Sequence, residues 1–396
     1  MLFTRSFSLG MIACAFVTGC SGAPQSGAIA PAGVSQAREG ERERANGSSI
    51  IRFVYVPNIG SDNISAYAVD AKSGALKAIS GSPFAAGNAP NGIGIDPLGK
   101  FAYVPNYGSA NVSAYAIDAT TGGLSPVKGS PFNAGTNPQA VAMDPKGRFA
   151  YVVNNGSDNV SAYAIDATNG KLTAVKGSPY ATGSEPGDVF VDPKGRFVYV
   201  PNDGSGNVSA FSIDESSGAL KEVAGSPFAA GTYPVGIAVD PLGKFAYVAN
   251  SGSDNVSAFL IDATSGALTP VSGSPFGAGN EALEVVVDPL GKFVYVSNYG
   301  SQSISAYALD EAGGTLTPVA GSPFSAGNAP NYLAVDPTGK FAYAADQNSD
   351  AVSAYAVDAT SGALKAVTGS PFAAGSSPFG IATCVVKGTA CKPPPL

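Results

Sequence analysis

The residues of this 396-residue chain that could do chemistry are carboxylates and phenols, because histidine and tryptophan are both absent. Without imidazole there is no Ser-His-Asp or Cys-His catalysis and no His-ligated zinc. Nor does the chain contain a Walker loop, a Gly-x-Ser-x-Gly elbow, a Cys-x-x-Cys pair or an EF-hand loop. Acid that occurs once is what remains. Seven aligned copies of a repeat serve as an internal control, since a position shared by all copies serves structure, whereas a single site needs residues that occur once. One position reads Gly92, Ala140, Asp188, Gly236, Glu284, Tyr332, Gly380. Three residues earlier it reads Ala89, Asn137, Glu185, Tyr233, Glu281, Ala329, Ser377. After a repeated asparagine it reads Ile59, Tyr107, Asn155, Asp203, Ser251, Tyr299, Gln347.

Acid therefore recurs in the same two copies. Asp188 and Glu284 are the candidate catalytic residues, as a general base raised by crowding of like charge. With Glu185, Asp203 and Glu281 they would form an acidic mouth rimmed by Tyr107, Tyr233, Tyr299 and Tyr332. Carboxylates and carbonyl oxygens suit Ca²⁺, which makes Asp188 and Glu284 candidate metal ligands too. Against one shared ion, two copies of seven stand about 103° apart around a ring. Loop acids that merely face solvent are the competing reading.

The elements that must hold these residues come from the period. Gly-Ser-Pro-Phe/Tyr begins at Gly81, Gly129, Gly177, Gly225, Gly273, Gly321 and Gly369, in steps of 48 residues. A strand-rich repeat of this length is the mark of a propeller blade. Residues 90–137 resolve into four strands: Ile93–Ile95, Phe101–Val104, Val112–Ile117 and Leu124–Lys128. Asp-Pro-Leu-Gly and Asp118-Ala-Thr-Thr-Gly form turns, and Ser-Pro-Phe forms a loop to the next unit. The predicted fold is all-β, a seven-bladed propeller over residues 50–388. Its N-terminal blade lacks an inner strand until the C-terminus, around Phe379–Thr383, supplies one. With 44% hydrophobic residues, including 20 Phe and 17 Tyr, the chain can bury such a core despite its 50 Gly and 30 Pro.

Residues 1–19 read as a secretory signal, with Arg5 ahead of an apolar run from Phe7 to Val17. Val17-Thr18-Gly19-Cys20 matches a bacterial lipobox, which makes Cys20 the lipidated residue and residues 20–49 a flexible tether. Ser21, rather than Asp, directs such a protein to the outer membrane of a Gram-negative cell. Cys384 and Cys391 are then the remaining pair, expected as a disulfide beside the seam, with 389–396 as a tail. A net charge of −7 argues against nucleic acid as a partner and leaves the lipid anchor as the only membrane contact.

Tyr-Val-x-Asn recurs at Tyr55–Asn58, Tyr103–Asn106, Tyr151–Asn154, Tyr199–Asn202, Tyr247–Asn250 and Tyr295–Asn298. With Asp-Pro-x-Gly-Lys/Arg-Phe and Asn-Val-Ser-Ala-Tyr, it resembles the YVTN repeat of the seven-bladed lactonase (6-phosphogluconolactonase-like) group. That resemblance implies a propeller and, for its enzymes, Arg, Glu and His side chains at the channel mouth. This chain departs from the pattern. It has no His, and its propeller arginines Arg52, Arg148 and Arg196 fall in the turn on the opposite face. A phosphosugar clamp is therefore hard to build in the mouth loops, although backbone amides could still cradle a phosphate. Two functions remain as expectations: an envelope-anchored platform binding a protein or glycan, and a hydrolase opening a non-phosphorylated lactone.

Overall fold

A computed structural model of the chain describes residues 51–387 and 390–392. Seven antiparallel sheets follow one another around a ring, each built from an inner, a second, a third and an outer strand. In the second blade these are Gly94–Ile95, Phe101–Asn106, Asn111–Ile117 and Leu124–Pro126. The expected loop contains one more piece of sheet. Phe132–Asn133 pairs with Asn111 and Val112, beyond the end of the outer strand. Ser130 explains the arrangement. Where the outer strand stops, its hydroxyl accepts the third-strand N–H of Ala114 at 2.8 Å, and the Phe then resumes the ladder.

The Phe-x-Tyr motif joins the blades. Tyr55 donates to the carbonyl of Gly122 in the next blade at 2.8 Å, and Phe53 packs where a Cβ on Gly122 would stand, about 2.5 Å from its ring. Gly122 has φ +74°, so glycine is required there twice over. The same bond recurs around the ring until Tyr343 donates to Gly74 and closes the circle. Third-strand tyrosines point the other way, as Tyr115 donates to Ala85 in the preceding blade.

Closure follows the expected route. The inner strand of the first blade is Ala382–Lys387, paired with Ile51–Asn58 so that Phe53 faces Cys384. Part of the expected tail, Ala390–Lys392, adds a short strand to Ala382–Lys387. Cys384 is buried; the side chain of Cys391, and hence the expected disulfide, lies outside the described residues, as do the signal segment and Cys20. Cys384 occupies the position that is Asp in every other blade, so Arg52 lacks a turn carboxylate of its own. It reaches instead to Asp336 of the seventh blade at 3.5 Å, with both side chains buried. Arg148 and Arg196 pair with the Asp four residues behind them, as the spacing suggests.

Candidate functional site

The inner strands carry the site because they are irregular at one end. Register shifts between Ala282 and Val285, Pro234 and Ile237, and Pro330 and Leu333 leave two residues per strand out of the ladder. Such bulges re-aim side chains, here toward the ring axis. Ile93, Val235, Leu283, Tyr332 and Phe379, from five different blades, accordingly share one apolar cluster. Around it, Ile59, Tyr107, Asn155, Asp203, Ser251, Tyr299 and Gln347 form a half-exposed ring, while residues 91–92 and their counterparts in the other six blades are all buried.

Asp188 and Glu284 belong to that buried floor, at 0% and 3% exposure, and are not solvated loop acids. Nor are they kept apart by two blades. Asp188 reaches the intervening fifth blade, where its Oδ2 accepts the N–H of Ile237 at 3.2 Å. Glu284 reaches the same spot from the other side, its Oε2 about 2.9 Å from where a Cβ on Gly236 would stand. Gly236 thus leaves the space in which the two acids meet. Burial pushes Asp188 up to about 8, against bonds from Val189 and Ile237 that favour its charged form. Glu284 is raised well above its ordinary value by burial first and the charge of Asp188 second. Its Oε2 finds no hydrogen-bond partner among the described residues. Burial thus favours the neutral acid form of both carboxyls.

Asp203 sits differently. It is half-exposed, yet its Oδ1 is buried without a hydrogen-bond partner among the described residues. Burial, then the charge of Glu185, pushes it up to about 7. Its backbone is fixed to that neighbour, since its N–H donates to the Glu185 carbonyl at 2.9 Å.

Glu185, Tyr233 and Glu281 share a left-handed turn, with φ near +50° in all seven blades. The turn is held by its backbone, as when the N–H of Glu281 donates to Asp254 at 2.8 Å, so the side chain is free to vary. Glu185 is exposed, Glu281 half-exposed and Tyr233 54% exposed. Tyr332 corrects the expectation of an aromatic rim. It is buried, packed against Phe379 at 5.7 Å between ring centroids, and forms part of the floor. Tyr107 and Tyr299 do lie in the half-exposed ring. Among the described residues no three acidic or cysteine side chains group to hold a metal, which leaves the Ca²⁺ expectation on the Asp188–Glu284 pair alone.

One acid escaped the sequence reading. Asp346 stands where the other six blades have asparagine, a difference visible in the aligned copies. Asn106 donates to Asn111 and Ser113, whereas Asp346 can only accept, and takes the Ser353 hydroxyl at 2.6 Å. Burial pushes Asp346 up to about 6. Asn331 also belongs to the floor, its amide donating to Gln347 at 2.9 Å; as an amide it gave no acid signal to follow.

A family model described as "Lactonase, 7-bladed beta-propeller" matches residues 46–132, 95–280 and 271–385. The chain belongs to the seven-bladed β-propeller lactonase family. No curated protein matches its sequence. Among solved structures, it is similar to a periplasmic gluconolactonase, PpgL, of Pseudomonas aeruginosa, with 21% identity, TM-score 0.72, and 85% of this chain and 99% of that one covered. A candidate 6-phosphogluconolactonase of Bacteroides fragilis matches with 20% identity, TM-score 0.75, and 85% and 98% covered. A protein from Lactobacillus plantarum matches with 22% identity, TM-score 0.71, and 86% and 100% covered. At these identities the lactonase likeness establishes the fold, and the chemistry has to be argued from the mouth residues.

Proposed function

We propose that this protein hydrolyses a non-phosphorylated lactone at the half-exposed ring, with Asp203 as general base. The observation that carries the reading is Asp203 itself, an accessible carboxyl raised to about 7, where a base is still able to take a proton at neutral pH. Asp203 would remove a proton from water as its oxygen bonds to the lactone carbonyl carbon. The same carboxyl would return that proton to the ring oxygen as the acyl–oxygen bond breaks, giving the open hydroxy acid. Asn155, on the flanking third blade, donates one amide proton to the Pro186 carbonyl at 3.3 Å and has a second to offer the carbonyl oxygen, whereas the Ser251 hydroxyl on the other flanking blade is given to the Tyr233 carbonyl at 3.2 Å. Asp188 and Glu284, both buried, shape the floor in this reading rather than touch substrate. Family membership supports the reaction class, and the absence of Lys and Arg from the half-exposed ring and from residues 89–92 and their counterparts supports a substrate without phosphate.

The test is pH-stat hydrolysis of a lactone panel, with and without Ca²⁺. Turnover should rise through about pH 7 with the Asp203 carboxylate, and Asp203→Asn should cost about 10²–10⁴-fold. Undiminished turnover by Asp203→Asn would reject it as the base, and Asp188→Asn and Glu284→Gln would then be the variants to assay. No turnover by folded protein would favour a platform binding an envelope protein or glycan. The exposed Tyr233 at the rim supports that second reading, because aromatic anchors dominate such interfaces. We further propose that the mature chain is anchored to the bacterial envelope through Cys20 and that Cys384 and Cys391 lock the ring seam. Lipid labelling and a thiol count test these two points.

A further inference from the structure

Ile51 opens a second strand, and second strands run from the Asp-Pro-x-Gly turn face toward the mouth. The chain that leads from Cys20 therefore enters the propeller on the turn face, opposite the site. That face carries an unusual set of apolar side chains. Leu98, Leu242 and Leu290 occupy one position of the turn and are exposed, Leu242 at 60%. The turn itself does not ask for leucine, since the same position is Lys146, Lys194 and Thr338 in other blades. Leu242 and Leu290 lie on adjacent blades, the fifth and sixth. The fifth blade adds exposed Leu260 near the turn-face end of its third strand, where every other blade has Ala or Ser. Leucine departs from the repeat at Leu260, and with Leu242 and Leu290 it gives the fifth and sixth blades three exposed leucines toward one face.

We infer that this face rests on a phospholipid bilayer, with Leu242, Leu260 and Leu290 entering the headgroup region and the mouth turned away from it. The inference rests on the proposed anchor at Cys20, whose tether joins the propeller on this face; the leucines, not the tether, would set the orientation. It adds a second membrane contact to the lipid. Charge contributes little to it. Lysines and arginines near the axis, such as Lys146 and Lys292, are offset by the exposed turn aspartates at the rim, such as Asp214 and Asp310. Docking carried by leucine should therefore persist as salt is raised, unlike binding carried by a basic patch.

The absence of tryptophan gives a clean readout. Leu242→Trp, Leu290→Trp and Tyr233→Trp would each place a single indole in the full lipidated chain, bound to phosphatidylethanolamine–phosphatidylglycerol vesicles. The expected result is blue-shifted emission from the Leu242→Trp and Leu290→Trp variants that is mostly lost on brominated lipid, with the mouth variant Tyr233→Trp unaffected. Vesicle-bound protein without quenching at either turn position overturns the docking while leaving the anchor intact. Failure to bind vesicles overturns the anchor and the docking with it. Emission already blue-shifted without vesicles, and unchanged by them, assigns the patch to a second copy of the chain and also overturns the proposal.

Discussion

Glu284→Gln should leave stability nearly unchanged in acid and raise it in base. Glu284 is raised well above its ordinary value, and Asp188 beside it is pushed up to about 8. The unfolded chain releases both protons near pH 4. Between these limits the folded state holds protons that the unfolded state has lost, so stability falls as pH rises. For Asp188 alone, stability is fully present below about pH 4 and is lost progressively up to about pH 8. Four units at about 1.4 kcal/mol each make a loss of order 5 kcal/mol. Glutamine removes one of the two titrations and also the charge that each acid imposes on the other. It forfeits no bond at Oε2, which has none among the described residues. Urea unfolding at about pH 5, 7 and 9 should show the variant gaining on the parent by at least about 1.4 kcal/mol across the range, the worth of a single unit. A difference that stays constant with pH, or shrinks as pH rises, would refute the claim that the two acids meet as a buried neutral pair.

Gly236→Ala would place a Cβ 2.5 Å from the Leu283 carbonyl oxygen, and overpacking of this kind costs about 1–3 kcal/mol. Gly277→Ala, with nothing within 4 Å, should be nearly neutral in the same denaturation series. Arg52→Ala would strand buried Asp336 at the ring seam and should cost about 3 kcal/mol by thermal or urea unfolding. If the loss is under half of that, the backbone bonds to Asp336 from Lys340 and Phe341 are sufficient by themselves. Asp346→Asn would restore the side chain of the other six blades. Because burial raises Asp346 to about 6, the stabilisation should be absent below about pH 4 and fully developed above about pH 6. A gain independent of pH would assign it to the regained donor rather than to the charge.

Much of the molecule was legible because a 48-residue period repeats each contact seven times. Tyr-Val-x-Asn marked the second strands, the Asp-initiated turns marked their ends, and the missing inner strand of the first blade pointed to the C-terminus. Columns of aligned residues also separated structural acids such as Asp118 from the once-only acids. The Ser-Pro-Phe segment was less clear, since a hydroxyl standing in for a strand partner leaves no pattern of alternation. Asp346 was visible as a break in the asparagine column, yet its meaning depended on burial.

Sequence alone thus determined the number of blades, their order and the way the ring closes, because turn chemistry and strand alternation are local and recur at a fixed spacing. Only the tertiary structure decided how deep each column lies and which residues meet across the axis. Tyr332 and Asp203 both look like rim residues in an alignment of blades, but one is floor and the other mouth. Asp188 and Glu284 lie 96 positions apart and converge on the fifth blade, Asp188 through the N–H of Ile237 and Glu284 from a bulged inner strand toward the empty side of Gly236. Radial depth and cross-axis contact arise from curling seven sheets into a ring, and no local pattern in the chain records them.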